Sequence, residues 1–169
     1  PDYGWSLNNL ARVVDDMGNY ERAEPVYLEA KAIREKVLGK EHPDYAWCLE
    51  NLAILYDIMG NYEKAELHFL EQKAILEKVV GKEHPDYAFC LHNLAYHYWV
   101  MGNYEKAEPL YLETMAIFEK LLGKEHPDYA RCQANLAILY SDMGNYEKAE
   151  PLYLEAKAIR GKVLGKEHP

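Results

Sequence analysis

Cysteine is scarce: three residues in 169, an odd number that suits a reducing compartment better than a disulfide framework. A cytoplasmic location is expected on that ground. No stretch approaches the roughly 18 consecutive apolar residues that would span a membrane. Positive charge is also short, with 19 Lys and Arg against 28 Asp and Glu and a net charge of −9. Nothing forms the basic stripe that nucleic-acid phosphates require, so nucleic acid is not an expected partner. The opening residues, Pro1-Asp2-Tyr3-Gly4-Trp5, lack the basic and apolar regions of a signal peptide. They also lack an initiator Met, as expected of a fragment of a longer array. Strand-type alternation of period two is missing throughout, which points to an all-α fold. What remains is ample core material: 49% hydrophobic residues, with aromatics at 12%, excludes a disordered chain.

The strongest positive signal is repetition. Pro1, Pro43, Pro85, Pro127 and Pro169 recur every 42 residues, as do Gly18, Gly60, Gly102 and Gly144, and Gly39, Gly81, Gly123 and Gly165. Four full units follow, residues 1–42, 43–84, 85–126 and 127–168, with 22 of 42 columns identical in all four. Recent duplication and consensus design would both leave that identity.

Each unit predicts two helices. In the second, Pro43 opens the first helix, where its missing N–H is harmless, and Asp44 faces the positive end of the helix dipole. Leu49, Leu52, Ala53, Tyr56 and Met59 then form an apolar stripe. Gly60 ends the helix in the left-handed conformation that glycine tolerates, and Asn61 caps the next. Ala65, Phe69, Ile75 and Val79 are expected on the buried face of the second helix, which Gly81 ends. Pro25, Pro109 and Pro151 sit about six residues into that helix, where Pro typically costs ~3 kcal/mol. A mild kink there would turn the freed carbonyls of Glu21, Glu105 and Glu147 to water.

Asn51-Leu52-Ala53, Tyr56, Gly60-Asn61-Tyr62, Ala65 and Phe69, with Leu38-Gly39-Lys40-Glu41-His42-Pro43 at the junction, resemble the tetratricopeptide repeat of the longer, 42-residue kind found in kinesin light chains. Similar arrays occur in NTPase-coupled signalling proteins. The resemblance covers the whole chain. Departures are Leu7, Leu49, Leu91 and Gln133 where the family usually has an aromatic, and Gln72 and Thr114 where it has a small residue. The resemblance implies a single right-handed superhelical solenoid of four helix-turn-helix repeats. First helices would line a concave groove that binds peptides or partner proteins.

Columns that vary between units are candidates for solvent or partner contact. They are Trp5/Trp47/Phe89/Arg131, Asn8/Glu50/His92/Ala134, Arg12/Ile54/Tyr96/Ile138, Asp15/Asp57/Trp99/Ser141 and Asp16/Ile58/Val100/Asp142. Their spacing puts them on one face of the first helix. Beside them runs an invariant ladder, Asn9, Asn51, Asn93 and Asn135. Two readings of the ladder stand: hydrogen bonds to the backbone of an extended peptide, or bonds to the neighbouring repeat that fix the stacking. The aromatics Trp5, Trp47 and Phe89, and the cluster His92, Tyr96 and Trp99, read either as interface anchors or as side chains packed on adjacent repeats. Arg12 and Arg131 stand against Asp15, Asp16, Glu50, Asp57 and Asp142, a net −3. A protein or peptide ligand that is neutral, apolar-aromatic or mildly basic is expected, and a strongly acidic one is not.

No chemistry beyond binding is expected, and no cofactor, metal or enzymatic activity. Cys48, Cys90 and Cys132 share one column. Stacked helices lie ~8–10 Å apart, beyond the reach of a disulfide, so these are expected core residues. His42, His84, His126 and His168 lie at separate junctions, where a helix-start hydrogen bond fits better than a shared metal. His92 and His97 point to different faces. A structural role is the rival to groove binding. Trp5, Leu7 and Leu10 at the front and Ile159 and Val163 at the back would leave apolar end faces that stack head-to-tail.

Overall fold

The computed structural model describes residues 2–163, so Pro1, Gly165, His168, Pro169 and the side chain of Val163 lie outside the described residues. Eight helices form four hairpins that fall within the four sequence repeats. They are α1 (Asp2–Asp16), α2 (Tyr20–Leu38), α3 (Pro43–Ile58), α4 (Tyr62–Val79), α5 (Pro85–Val100), α6 (Tyr104–Leu122), α7 (Pro127–Asp142) and α8 (Tyr146–Val163). No strand occurs among the described residues. The helices group into two compact units, α1–α4 up to Gly81 and α5–α8 from Lys82. In each, every helix packs on its hairpin partner, and the second helix of one hairpin packs on the first helix of the next.

The turns follow from the residues at them. After α3, Gly60 takes φ +74°. Its N–H donates to Asp57 O, and the Asn61 N–H donates to Tyr56 O at 2.8 Å, which satisfies carbonyls the helix end would orphan. Asn103 and Asn145 then also cap the following helix, their side chains accepting from Lys106 N and Lys148 N at 3.3 Å. The glycine after α2 and α6 works differently. Gly39 and Gly123 combine φ +83° with an extended ψ, a region essentially closed to any residue with a Cβ. The junction histidines do what their position suggested. Nδ1 of His42, His84 and His126 accepts the backbone N–H of Asp44, Asp86 and Asp128 at 3.1, 3.1 and 3.2 Å, ahead of a Pro at the first helical position.

Leu49, Leu52, Ala53 and Tyr56 are buried as the stripe predicts, and Tyr45, Ala46, Cys48 and Leu55 join them, while Met59 lies at the exposed margin. On the second helix the prediction needs correction. Ala65 and Phe69 are buried, but Gln72 and Leu76 complete that face, while Ile75 is half-buried and Val79 exposed. The face runs at i, i+4, i+7 and i+11, so the expected continuation was one residue, about 100°, out of phase. Pro25, Pro109 and Pro151 sit on the exposed side of unbroken helices. The N–H that each lacks would have served a carbonyl on the solvent face.

Within each unit the two hairpins are locked by the same arrangement. In unit 1 the Tyr56 hydroxyl donates to Glu24 at 2.7 Å, and Lys64 reaches the same carboxylate while lying 4.6 Å over the Tyr56 ring. In unit 2 Tyr140, Glu108 and Lys148 repeat it, with 2.7 Å for the hydroxyl and 4.7 Å for the ring contact.

Candidate interaction surface

The variable columns lie on the first helix of each hairpin, and their burial separates them into two kinds. In unit 1, Trp5 is 57% exposed, Ile54 and Ile58 are exposed, and Trp47 is half-buried. Arg12 and Asp16 are exposed, and Asp15 and Asp57 are half-buried. Glu50 is partly turned inward, where Gln72 Nε2 donates to it at 3.3 Å. In unit 2, Tyr96 is 46% exposed and meets Trp99 edge-on at 5.3 Å. Trp99 Nε1 donates to Asp142 at 2.6 Å, which fixes the indole across two hairpins. Val100 is exposed and Ile138 half-buried alongside. Phe89 packs edge-on against Phe118 at 5.1 Å, and the Arg131 guanidinium sits 5.7 Å from its ring while pairing with Asp128 at 3.1 Å.

His92 does not join the exposed aromatic cluster. It is only 7% exposed, stands edge-on to Tyr111 at 5.5 Å, and its Nε2 lies 3.1 Å from Asn135 Nδ2. Its column leans toward the second helix of its own hairpin, so a ring there is covered while Tyr96, four residues on, is not. Burial, reinforced by Arg131, lowers its pKa to about 4, so the imidazole is neutral and accepts from the amide at Nε2. Unit 1 makes the same link with amides alone: Asn51 Nδ2 donates to Asn8 Oδ1 at 3.2 Å, and Asn8 is buried. The ladder residues Asn9, Asn51, Asn93 and Asn135 are all half-buried.

The three cysteines are free and buried. Burial pushes the Cys48 thiol up to about 11 and Cys132 further in the same direction, so neither is a thiolate nucleophile at neutral pH. No group of three or more His, Cys, Asp or Glu among the described residues is arranged to hold a metal ion. No described helix is long and apolar enough to cross a membrane. The expected apolar ends need correction at two positions. Leu7 and Ile159 are buried within their own hairpins, whereas Tyr3, Leu10 and Val13 are exposed on α1.

Repeated helix-turn-helix units with this column pattern match the family described as tetratricopeptide repeat over residues 2–78 and 89–162. The chain belongs to that family. Tetratricopeptide repeats generally serve as non-enzymatic scaffolds for protein–protein interaction. The chain is similar in structure to BtubC (BKLC) from P. vanneervenii, at 25% identity and a TM-score of 0.87 over 98% of this chain and 66% of that one. It thus spans slightly less than two thirds of BtubC. It is similar also to a putative kinesin light chain with nearly identical TPR-like repeats from Podosopora anserina. There the identity is 32% and the TM-score 0.84, over 97% of this chain and 78% of that one. The Q17M form of the same protein gives the same identity and TM-score over 77% of its length. No curated protein matches. The tetratricopeptide repeats here are of the kinesin-light-chain-like kind, four hairpins of two helices.

Proposed function

We propose that this tetratricopeptide-repeat chain docks a partner polypeptide on its first-helix faces, with the Tyr96–Trp99 pair of unit 2 as the principal anchor. One observation carries the reading: an aromatic pair held edge-to-face and tied down by Asp142, with Tyr96 exposed and Trp99 half-buried, lies on a face whose neighbours vary from repeat to repeat. Rigid, amphipathic rings give up little freedom on binding and dominate interface energetics. Trp5, Trp47, Ile54, Phe89 and Arg131 extend the same kind of surface within their own units. Asp16 and Asp142 lie exposed among the apolar groups, which favours a neutral or mildly basic, apolar-aromatic segment. The Asn51–Asn8 and Asn135–His92 bonds support the reading that the ladder fixes hairpin register, leaving selectivity to the variable columns. Cytoplasmic partners are the natural expectation for such a module.

The test is a peptide array followed by titration of the best binder. Tyr96→Ala and Trp99→Ala should each weaken binding by about tenfold or more, with helical content unchanged. Asn51→Ala should lower stability more than affinity. Clear preference for acidic peptides, or full affinity in both aromatic variants, would overturn the proposal.

A second reading has its own observation. Tyr3, Leu10 and Val13 are exposed on α1, whereas Tyr45, Leu52 and Leu55, which occupy the same columns of α3, are covered by α2. A second copy of the chain would cover them by repeating the α2-on-α3 contact. Concentration-dependent association abolished by Leu10→Lys supports this reading; a monomer at millimolar concentration opposes it.

A further inference from the structure

Column 34 of the repeat holds Leu76 and Phe118 in the second and third hairpins, both buried and apolar, exposed Arg160 in the fourth, and Arg34 in the first. Arg34 is nonetheless only 6% exposed. A charge in an apolar column is costly unless it is paired and its donors are used. The pairing is partial. One terminal nitrogen, Nη1, meets the carboxylate of Asp44, whose own side chain is half exposed, while buried Nε has no hydrogen-bond partner. A second substitution accompanies the first. Column 4 is Ala46, Ala88 and Ala130 elsewhere, all fully buried, and Gly4 here. A Cβ on Gly4 would stand 3.2 Å from Arg34 Nε, so the glycine makes room for the guanidinium.

Both residues line a cavity of about 470 Å³ within unit 1. Tyr3, Ile33, Val37 and Leu38 give it apolar walls, and Gly4 and Arg34 form its polar end, flanked by His42 and Asp44. The volume lies in the range that takes small ligands, and the balance of apolar wall with one convergent cation is the usual composition of such sites. Asp44 occupies the Nη1 end of the guanidinium, whereas Nε, buried and unpartnered, lies beside Gly4. The guanidinium thus keeps donors that Asp44 does not use, and a carboxylate in the cavity would be the natural partner for them. His42, whose Nδ1 accepts the Asp44 N–H, flanks the same end.

We propose that this cavity binds a small aliphatic monocarboxylate, with the carboxylate on Arg34 and the chain between Tyr3, Ile33, Val37 and Leu38. The site is separate from the first-helix face of unit 2 and stands or falls independently of partner docking there. It is tested on the full chain with sodium octanoate as probe, by calorimetry and by following the Gly4 amide resonance. Octanoate should shift Gly4 saturably, and 1-octanol should bind at least about tenfold more weakly because it leaves those guanidinium donors unpaired. Arg34→Leu restores the residue type of the second hairpin, and it should weaken octanoate by about tenfold or more while helical content is retained. Gly4→Ala, which narrows the polar end, should act in the same direction. No saturable shift, equal affinity for octanol, or undiminished binding in a folded Arg34→Leu variant would overturn the proposal. N-acetylleucine binding more tightly than octanoate would also overturn it, by assigning the cavity to the carboxyl terminus of a polypeptide.

Discussion

The two units are built from the same repeat but solve the same packing problems with different chemistry. At the link between first helices, unit 1 joins amide to amide, Asn51 to Asn8, whereas unit 2 joins amide to imidazole, Asn135 to His92. At column 34, unit 2 buries Phe118 against Phe89, and unit 1 buries Arg34 beside a cavity. The hairpin geometry tolerates either choice because it is held by the invariant columns. The variable ones are therefore free to introduce titration, charge or space locally. Unit 1 carries Trp5 and Trp47 and unit 2 carries Trp99, so Trp5→Phe/Trp47→Phe gives a background in which fluorescence reports unit 2 alone.

The largest contrast is expected at column 34. Phe118→Ala removes a fully buried ring and should cost about 3–5 kcal/mol in denaturant unfolding. Arg34→Leu exchanges a partly satisfied charge for the apolar residue of the neighbouring hairpin. It should change stability by no more than about 1 kcal/mol, in either direction, because half-exposed Asp44 rehydrates. A loss at Arg34 comparable to that at Phe118 would mean that the ion pair is central to unit 1 and would erase the contrast.

Next comes pH. His92 takes up its proton near pH 6.5 when unfolded but only near 4 when folded, with Arg131 opposing the charge and Asp128 favouring it. The unfolded chain therefore binds more protons between those values. Stability that is present above pH 6.5 is lost as pH falls toward 4, by about 3 kcal/mol. His92→Asn, which copies the Asn8 link, should flatten that slope in unit 2. Unit 1 keeps a slope of its own, since burial also lowers His68, and His92→Asn should leave it untouched. An unchanged Trp99-reported slope would remove His92 as its source.

The smallest contrast between the units is expected at what they share. Tyr56→Phe and Tyr140→Phe each delete a 2.7 Å bond to a carboxylate and should each cost about 1–3 kcal/mol, equally in both units. Unequal costs would show that the shared lock is not equivalent in its two settings.

Much of this was legible in the residues. The 42-residue period, the Gly60 turn, the junction histidines and the burial of the cysteines follow from local rules that neighbouring hairpins reinforce. The surface is harder to read, because variation between repeats does not by itself mean exposure. Column 8 varies as Asn, Glu, His and Ala, yet Asn8 and His92 are buried. Column 34 varies as Arg, Leu, Phe and Arg, yet its first three members are buried. A core column can vary when its neighbour adjusts, as Gly4 does for Arg34, and a single column read alone does not show that adjustment. Tyr96 is exposed as its varying column suggests, whereas the bond that ties Trp99 to Asp142 on the next hairpin has no signal in either column alone.

The Glu–Tyr–Lys lock has a consequence for how such a chain can change length. In each unit the first hairpin supplies the acid and the second supplies the phenol and the amine, so parts taken from either unit would fit provided the cut is made in whole periods. Excising residues 43–126 would set Tyr140 and Lys148 opposite Glu24, a like-for-like joint. Excising half a period would instead leave one hairpin's carboxylate facing a helix with no phenol in register. The lock thus makes 42 residues the period over which its own acid, phenol and amine stay in register.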